Sequence, residues 1–488
     1  MARKTAVIDL GSNSVRMVIF EKSSRFAFNI CAEYKRKVRL GENAYNNGKV
    51  LQAEAMQRTE DTLAHFKALS LKHKCNKLLI VGTSALRDAP NSKDFIKRIK
   101  NKLKLNIRCI DGKTESYLGG LAALNLLSDI QNATTLDIGG GSSELCLIRG
   151  GKIVDYISLD IGTVRLKELF SDKDKLKDLD NFFKPLLKLI PESFKNEKLI
   201  AIGGSLRALS NSIMQKNSYP LKTLHNFHYE LKNEKAHIKK ILACQNEDLA
   251  NYGIKKDRFD TIKEGILIFL NIAETLGAKE IITSGVGVRE GVFLQDLLPK
   301  TKSFPVNFNP SLRSLQDRFL KKNHKSKISL YCSKIFDELQ SLHDLNISFK
   351  TSLINASKLY HIGEFISPYY SNEHSAYLVL NNLDYRISHK EKTLIAHLIK
   401  FSGKKINSTL IKEYQDLLPK FSILAWLSFI LGLAKILEQN CFEKDKIQFK
   451  LKNKSLYIYS QNTINIPKDE LKKLVLPEDL ILVVNQVP

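Results

Sequence analysis

Asp137-Ile138-Gly139-Gly140-Gly141-Ser142-Ser143-Glu144 follows the short apolar run Ala133-Thr134-Thr135-Leu136, and near the N-terminus Ala6-Val7-Ile8 runs likewise into Asp9-Leu10-Gly11-Ser12-Asn13-Ser14. Both read as a buried strand that ends in an aspartate and then turns tightly through glycine and serine, one unit used twice. Such a turn lets backbone N–H groups crowd together without Cβ interference. It is a nest for phosphate oxygens, and its aspartate stands where a metal or a water would sit beside them. Two nests facing each other would clamp a chain of phosphates.

Around these stretches the same order of elements comes twice. Residues 5–10, 15–20 and 25–33 read as a strand meander, followed by a helix at 50–74, a buried strand at 77–81, a helix at 92–103, a strand at 106–110 and a helix at 114–127. The second half has strands at 134–137, 143–149 and 152–160, a helix after Gly162-Thr163, a long helix at 176–194, a strand at 198–202, a helix at 261–276 and a strand at 280–283. Three of these strands run into Gly82-Thr83-Ser84-Ala85-Leu86-Arg87, Gly203-Gly204-Ser205-Leu206-Arg207 and Ser284-Gly285-Val286-Gly287-Val288-Arg289-Glu290-Gly291. Each glycine turn therefore sits at a strand's carboxyl end, where open α/β sheets place their ligands.

Composition bounds the class. A chain of 488 residues is long for one core and predicts three or four units. A formal net charge of +25 favours an anionic partner over a neutral one, against the alternative of lysines spread over solvated faces. The seven cysteines include no C-x-x-C pair, which argues for a reducing, cytoplasmic setting and against a disulfide framework or a zinc site. No targeting segment is visible, because Asp9 interrupts the first apolar run. The uncharged stretch 421–434, around Trp426, is shorter than the roughly 20 residues of a bilayer span and reads as a buried core helix.

The order of elements and the two aspartate turns resemble the sugar kinase, actin and chaperone ATPase superfold. More closely, Asp9 to Arg16, Thr83 to Arg87, Asp137 to Glu144, Gly203 to Ser205 and Ser284 to Gly291 resemble the motif set of the exopolyphosphatase and guanosine pentaphosphate phosphohydrolase family. The resemblance is strong over roughly residues 1–298 and weak beyond. It implies an α/β fold of two actin-like (ribonuclease H-like) lobes, 1–130 and 131–298, with an interlobe cleft. An all-helical HD-like domain at 299–440 and a small β-rich tail at 441–488 follow. It also implies an enzyme that releases terminal orthophosphate from inorganic polyphosphate, from guanosine pentaphosphate (giving the tetraphosphate), or from both.

Phosphoanhydride hydrolysis needs charge neutralisation, a positioned water and a group that accepts its proton. Gly11, Ser12, Asn13 and Ser14, with Gly139, Gly140, Gly141 and Ser142 opposite, are the expected phosphate cradle, and Arg16 and Arg87 its guanidinium partners. For Arg87 the alternative is a salt bridge to Asp88 or to an interlobe carboxylate. Gly203, Gly204 and Ser205, with Gly285 and Arg289, form a nucleotide or second phosphate loop. The family's water-activating base is a glutamate at the start of the helix after the lobe's last strand, and Glu115 matches it; the alternative is that Glu115 only caps that helix. Asp137 and Glu144 suit a divalent metal, with Asp9 reaching it through water, or Glu144 holds the nucleophilic water beside Glu115. Mg2+ is the first choice and another divalent cation is left open.

Rival readings are an actin-like ATPase or kinase and a non-catalytic alarmone or polyphosphate sensor. Nucleic acid is disfavoured because no groove-reading module is recognisable, a membrane is not expected, and a homodimer is left open. The basic run from Lys300 through Lys302, Arg313, Arg318, Lys321, Lys322, Lys325 and Lys327 to Lys334 is either a solvated linker or a guide for polyanion. In the helical region, His361-Ile362 stands where the HD family has His-Asp, and Lys435 where it has a late aspartate. That domain is therefore expected to be catalytically inactive, with His343 and His374 read as packing residues.

Overall fold

The structure, a computed structural model, describes residues 3–173, 178–321, 325–440, 446–460, 468–478 and 480–486. The chain divides into two compact units, Met1–Pro310 and Ser311–Pro488. In the first, β1 (Arg3–Leu10), β2 (Ser14–Lys22) and β3 (Phe28–Lys37) form an antiparallel meander. Helix α1 (Ala53–Lys72) then leads to β4 (Lys77–Gly82), and α2 (Ser84–Asp88) and α3 (Ser92–Leu103) to β5 (Arg108–Cys109). The sheet order is β3-β2-β1-β4-β5, with β4 and β5 parallel to β1.

Helix α4 (Gly112–Leu126) leads to a second sheet, and the plan is repeated. The meander is β6 (Ala133–Ile138), β7 (Ser143–Arg149) and β8 (Lys152–Leu159). After α5 (Thr163–Leu169) and α6 (Leu179–Leu187) comes β9 (Lys198–Ile202), parallel to β6. Then follow α7 (Gly204–Lys216), β10 (Phe227–Glu230), α8 (Leu231–Ala243), α9 (Ile262–Leu276), β11 (Glu280–Thr283) and α10 (Val288–Leu297). The order β10-β11-β9-β6-β7-β8 matches the first sheet strand for strand, with β10 added as an antiparallel edge.

Burial explains why these runs are strands. Ala6, Val7 and Ile8 of β1 and Leu145, Cys146 and Ile148 of β7 are fully buried, so both faces of each sheet centre are covered, as continuous apolar runs require. Helix α4 is apolar on nearly every side, and such a helix belongs inside. It lies against β7, where the Ser116 hydroxyl donates to the Leu145 carbonyl (2.6 Å), so the helix that follows the first sheet is anchored to the second. Conversely, α10 follows the second sheet but sends Phe293 to stack on Phe20 (4.2 Å between ring centres) and to meet Phe28 edge-on (4.8 Å) in the first. The two sheets are thus cross-strapped by helices.

Three sequence expectations are corrected. The third strand starts at Phe28 rather than residue 25, because the amides of Ser23 and Ser24 close a turn on the Ala27 carbonyl. The helix expected over 176–194 is the shorter Leu179–Leu187 with a separate 3-10 turn at Glu192–Phe194, since Pro191 has no amide to continue a helical ladder; Leu176 lies outside the described residues. The strand expected at 106–110 pairs only at Arg108–Cys109.

In the second unit, helices Ile328–Glu338, Ile347–Leu359, Ser371–Asn382, His389–Phe401 and Phe421–Asn440 surround one apolar core. The sheet β12 (Ile447–Lys452), β13 (Ser455–Ser460) and β14 (Ile481–Gln486) adds Ile447, Leu456 and Ile458 to it. Helix Phe421–Asn440 is long and apolar enough to cross a membrane by length and composition. Its Leu427, Phe429, Ile430, Leu431 and Leu433 are nevertheless fully buried in this unit, as a core helix demands. His343 is a packing residue, as expected: Nδ1 accepts from the Leu345 amide (3.0 Å), so Nε2 carries the proton and donates to the Phe336 carbonyl (3.0 Å). In the basic run, Arg313 pairs with Asp317 (2.7 Å), and Lys322 lies outside the described residues.

Candidate active site

The two aspartate turns are built alike. The Gly11 amide donates to the Ser14 carbonyl (3.2 Å) in one, and the Gly139 amide to the Ser142 carbonyl (2.9 Å) in the other. In the β1/β2 register Asp9 stands opposite Arg16, and in the β6/β7 register Asp137 stands opposite Glu144. Residues directly opposite on antiparallel strands share a face of the sheet. The same slot therefore carries a cation in one half and an anion in the other.

Both turns line one cavity of about 140 Å3 together with Asp9, Arg16, Glu115, Asp137 and Glu144. Of the cradle residues, Gly11, Ser12, Asn13, Ser14, Gly139 and Gly140 reach its wall, as do Gly203, Gly204, Ser205 and Arg289 of the second loop. Gly141, Ser142, Arg87 and Gly285 are not on the wall. The Gly285 amide is already given to His225 Nδ1 (3.1 Å). Gly203 must be glycine: its φ is +99°, and a Cβ there would lie 2.9 Å from Asp137 Oδ1 and 2.8 Å from the Ile138 carbonyl oxygen.

Two arginines absent from the sequence-based site join the wall, Arg207 and Arg258. Arg207 closes the stretch Gly203 to Arg207 and sits on the first turn of α7, a signal the motif already contained. Arg258 stands in the lysine-rich loop before α9, where nothing local marks it; its guanidinium lies against Gly204, 2.4 Å from where a Cβ would be. With Arg16 and Arg289 they make a group of four arginines. Burial, then repulsion from Arg207, Arg289 and Arg258, pulls Arg16 down to about 9, and Arg207 is lowered by burial and by Arg289. Like charges held at such cost are matched to an anion.

The carboxylates are as costly. Burial, then the charge of Glu144, holds Glu115 well above the usual glutamate range; burial and Asp137 push Glu144 up to about 8; and burial raises Asp137 to about 6 against the pull of Arg207. Asp9 is also raised by burial, which outweighs Arg289 and Arg16. Glu115 does not cap its helix. Asp111 does, accepting from the Thr114 amide (2.6 Å), and leaves the Glu115 side chain free to meet Arg87 Nη1 (3.0 Å). Arg87 also donates from Nε to Asp88 (3.3 Å) and from Nη2 to Ser142 Oγ (3.3 Å), so both its expected alternatives, Asp88 and a carboxylate of the site, are engaged. Ser158 donates to Glu144 Oε1 (3.0 Å).

Asp137 and Glu144 together can offer a hard divalent cation two oxygen ligands on one sheet face. Among the described residues no group of three or more His, Cys, Asp and Glu side chains could enclose a metal. The donor set thus fits an ion that completes its shell with phosphate oxygens and water, and does not fit one that needs a closed protein cage.

Buried carboxyls that hold protons in the folded state and release them on unfolding weaken the fold as pH rises. For Glu144 that loss begins near the ordinary glutamate pKa of about 4.5 and is complete above about 8. Glu144→Gln is therefore expected to melt several degrees above wild type near pH 9 and alongside it near pH 4, in thermal scans without substrate. A difference independent of pH would remove burial of this charge as the cause.

Residues 18–300 match the sequence model described as the Ppx/GppA phosphatase family. A guanosine-5'-triphosphate,3'-diphosphate pyrophosphatase from Photobacterium profundum is 27% identical over 414 residues, 83% of this chain and 81% of the relative. The crystal structure of an exopolyphosphatase from Cytophaga hutchinsonii superposes with a TM-score of 0.56 at 24% identity, over 62% of this chain and 100% of the other. That of the Ppx/GppA family member from Aquifex aeolicus gives 0.53 at 26% identity, over 62% and 99%.

Proposed function

The chain belongs to the Ppx/GppA phosphatase family, and from that premise we propose that it is a phosphohydrolase which removes the terminal orthophosphate of inorganic polyphosphate, of guanosine pentaphosphate, or of both. The observation that carries this reading is one cavity in which two phosphate nests and four arginines adjoin a buried, proton-hungry glutamate. We read it as the interlobe cleft of an actin-like fold.

The two turns hold the terminal phosphate through the Ser12 and Ser14 hydroxyls and those amides the turns do not spend on themselves, the Gly11 and Gly139 amides being given to Ser14 and Ser142, while Arg16, Arg207, Arg258 and Arg289 neutralise the phosphates behind it. Glu115 takes a proton from water as the water oxygen bonds to the terminal phosphorus. The P–O bond to the bridging oxygen breaks, orthophosphate leaves, and the shortened chain keeps the bridging oxygen. Asp137 and Glu144 would hold Mg2+, with Asp9 beside them, and the ion would supply further neutralisation of phosphate charge. Arg87 orients Glu115 and ties it to the second turn through Ser142.

The helical unit is proposed as a degenerate HD-like domain. His361 gives both ring nitrogens to carboxylates, Nδ1 to Glu364 (2.6 Å) and Nε2 to Glu438 (2.9 Å), and Lys435 lies over the Tyr360 ring, so ion pairs and a cation–π contact stand where a metal centre would need free imidazole and aspartate. A cytoplasmic setting accords with the free state of the six described cysteines.

The test is phosphate release, with Mg2+ present, from long-chain polyphosphate and from guanosine pentaphosphate side by side. Release from either supports the reading, and the ratio of the two kcat/KM values names the main substrate. No release from both, with ATP hydrolysed instead, would move the chain to the actin-like ATPases.

A further inference from the structure

Behind Glu115 runs a chain of charged side chains that crosses from one half of the first unit to the other. Arg165, on α5 of the second half, donates from Nη2 to Asp88 Oδ2 (2.8 Å). The other oxygen of Asp88 takes Arg87 Nε (3.3 Å), and this leaves the two outer nitrogens of Arg87 for Glu115 and Ser142. Neither Arg165 nor Asp88 lines the cavity. Arg165 is itself fixed from behind, its guanidinium 4.8 Å from the ring centre of Tyr45, whose hydroxyl sits against Gly141 of the second turn. The side chains of Arg165 and Asp88 are 8% and 14% exposed, so solvent does not screen the pair as it would a surface bridge.

Geometry makes the order of dependence plain. A guanidinium is a planar fork, and fixing one edge fixes the direction of the other. Asp88 holds the Nε edge of Arg87 only while its own carboxylate is held; released from Arg165, it is free to turn both oxygens onto Arg87. A bidentate grip of that kind would draw the fork from Glu115.

We propose that Arg165 and Asp88 are positioning residues for the hydrolytic step, acting through Arg87 to aim the Glu115 carboxylate at the attacking water and to couple that aim to the seating of the second phosphate turn. The inference rests on the reading of Glu115 as the base. Arg87 Nη1 donates to one oxygen of Glu115 (3.0 Å) and so fixes where the other points; once that donor is drawn away, the carboxylate is free to rotate off the line of attack.

The experiment compares wild type, Glu115→Gln, Arg165→Gln, Arg165→Lys and Asp88→Asn on a short inorganic polyphosphate, with melting curves as the control for folding. Arg165→Gln is expected to lower kcat by roughly tenfold to a hundredfold with KM within about twofold. Arg165→Lys, which keeps a cation facing Asp88, is expected to return kcat to within a few-fold of wild type. Asp88→Asn, an isosteric change, is expected to lose about tenfold in kcat with KM within about twofold. Wild-type kcat in a normally melting Arg165→Gln protein overturns the proposal, as does wild-type kcat in Asp88→Asn should the first variant fail to fold. Near-normal hydrolysis by Glu115→Gln is a separate outcome and sinks the assignment of the base instead.

Discussion

Glu115→Gln is expected to lower phosphate release by roughly two to four orders of magnitude while leaving substrate affinity within a few-fold of wild type. Glutamine fills the same volume and its carbonyl oxygen can still accept from Arg87 Nη1, so the contact seen at 3.0 Å survives the change. What is lost is the capacity to take a proton. Burial and Glu144 already make the Glu115 carboxylate a stronger base than an exposed glutamate, so it binds the proton of an attacking water more firmly than water of the cavity would. The variant also removes a buried carboxyl that, like Glu144, weakens the fold as pH rises, so its melting temperature is expected to rise or hold. Single-turnover release, together with equilibrium binding of a labelled polyphosphate, separates the two effects. Loss of binding in proportion to loss of rate would make Glu115 a ligand rather than a base.

The second large effect comes from a residue that touches no substrate. Gly162→Ala is expected to cost about a hundredfold in kcat/KM and about 1–3 kcal/mol in stability. Gly162 has an extended backbone that any residue can adopt, with φ at −149°, so the difficulty is space. A Cβ there would lie 2.5 Å from the carbonyl carbon and oxygen of Gly140 and from the Gly141 amide nitrogen. These are backbone atoms of the second phosphate turn and cannot swing aside as a side-chain tip would. The turn is also tied to the start of α5, since the Gly139 carbonyl accepts from the Thr163 amide (3.0 Å) and the Gly140 carbonyl from Val164 (2.8 Å). A methyl group must therefore push turn and helix apart, which misplaces the cradle. Thermal melting and steady-state kinetics on one preparation check it; wild-type kinetics with a lowered melting temperature would mean that the turn absorbs the strain away from the cavity.

What was legible in the sequence follows from range. A strand, an aspartate and a glycine turn are contiguous, so both nests and the order of elements around them are legible from local pattern, whereas the role of Glu115 came only with the family resemblance, its position matching that family's glutamate. In the run Gly203 to Arg207 the glycines carry the local signal, although its arginine reaches the cavity wall one helical turn on. Arg258 had no such handle, because its place depends on Gly204, far away in the chain, leaving room for a guanidinium. The Arg165 to Asp88 link joins residues 77 apart in sequence, and no spacing rule announces it. Long-range pairing also explains the strand ends: the expected strand at 106–110 shrank to two residues because a partner strand, and not propensity, decides where a ladder stops.

The exchange of Arg16 for Glu144 at one shared slot has a consequence for the direction of travel along a linear substrate. Two identical halves would present the same charge at either end of the cavity, and a uniform phosphate chain lying there would have no front or back. Here the charges are sorted. Arg16 feels chiefly other arginines, Glu144 feels chiefly Asp137 and Arg87, and Asp9 and Asp137 feel both groups. A chain of negative groups is drawn to the arginines and repelled by bare carboxylates, so its two directions along the cavity differ in energy, and the end that lies among Asp137 and Glu144 is the one that needs a bound cation beside it.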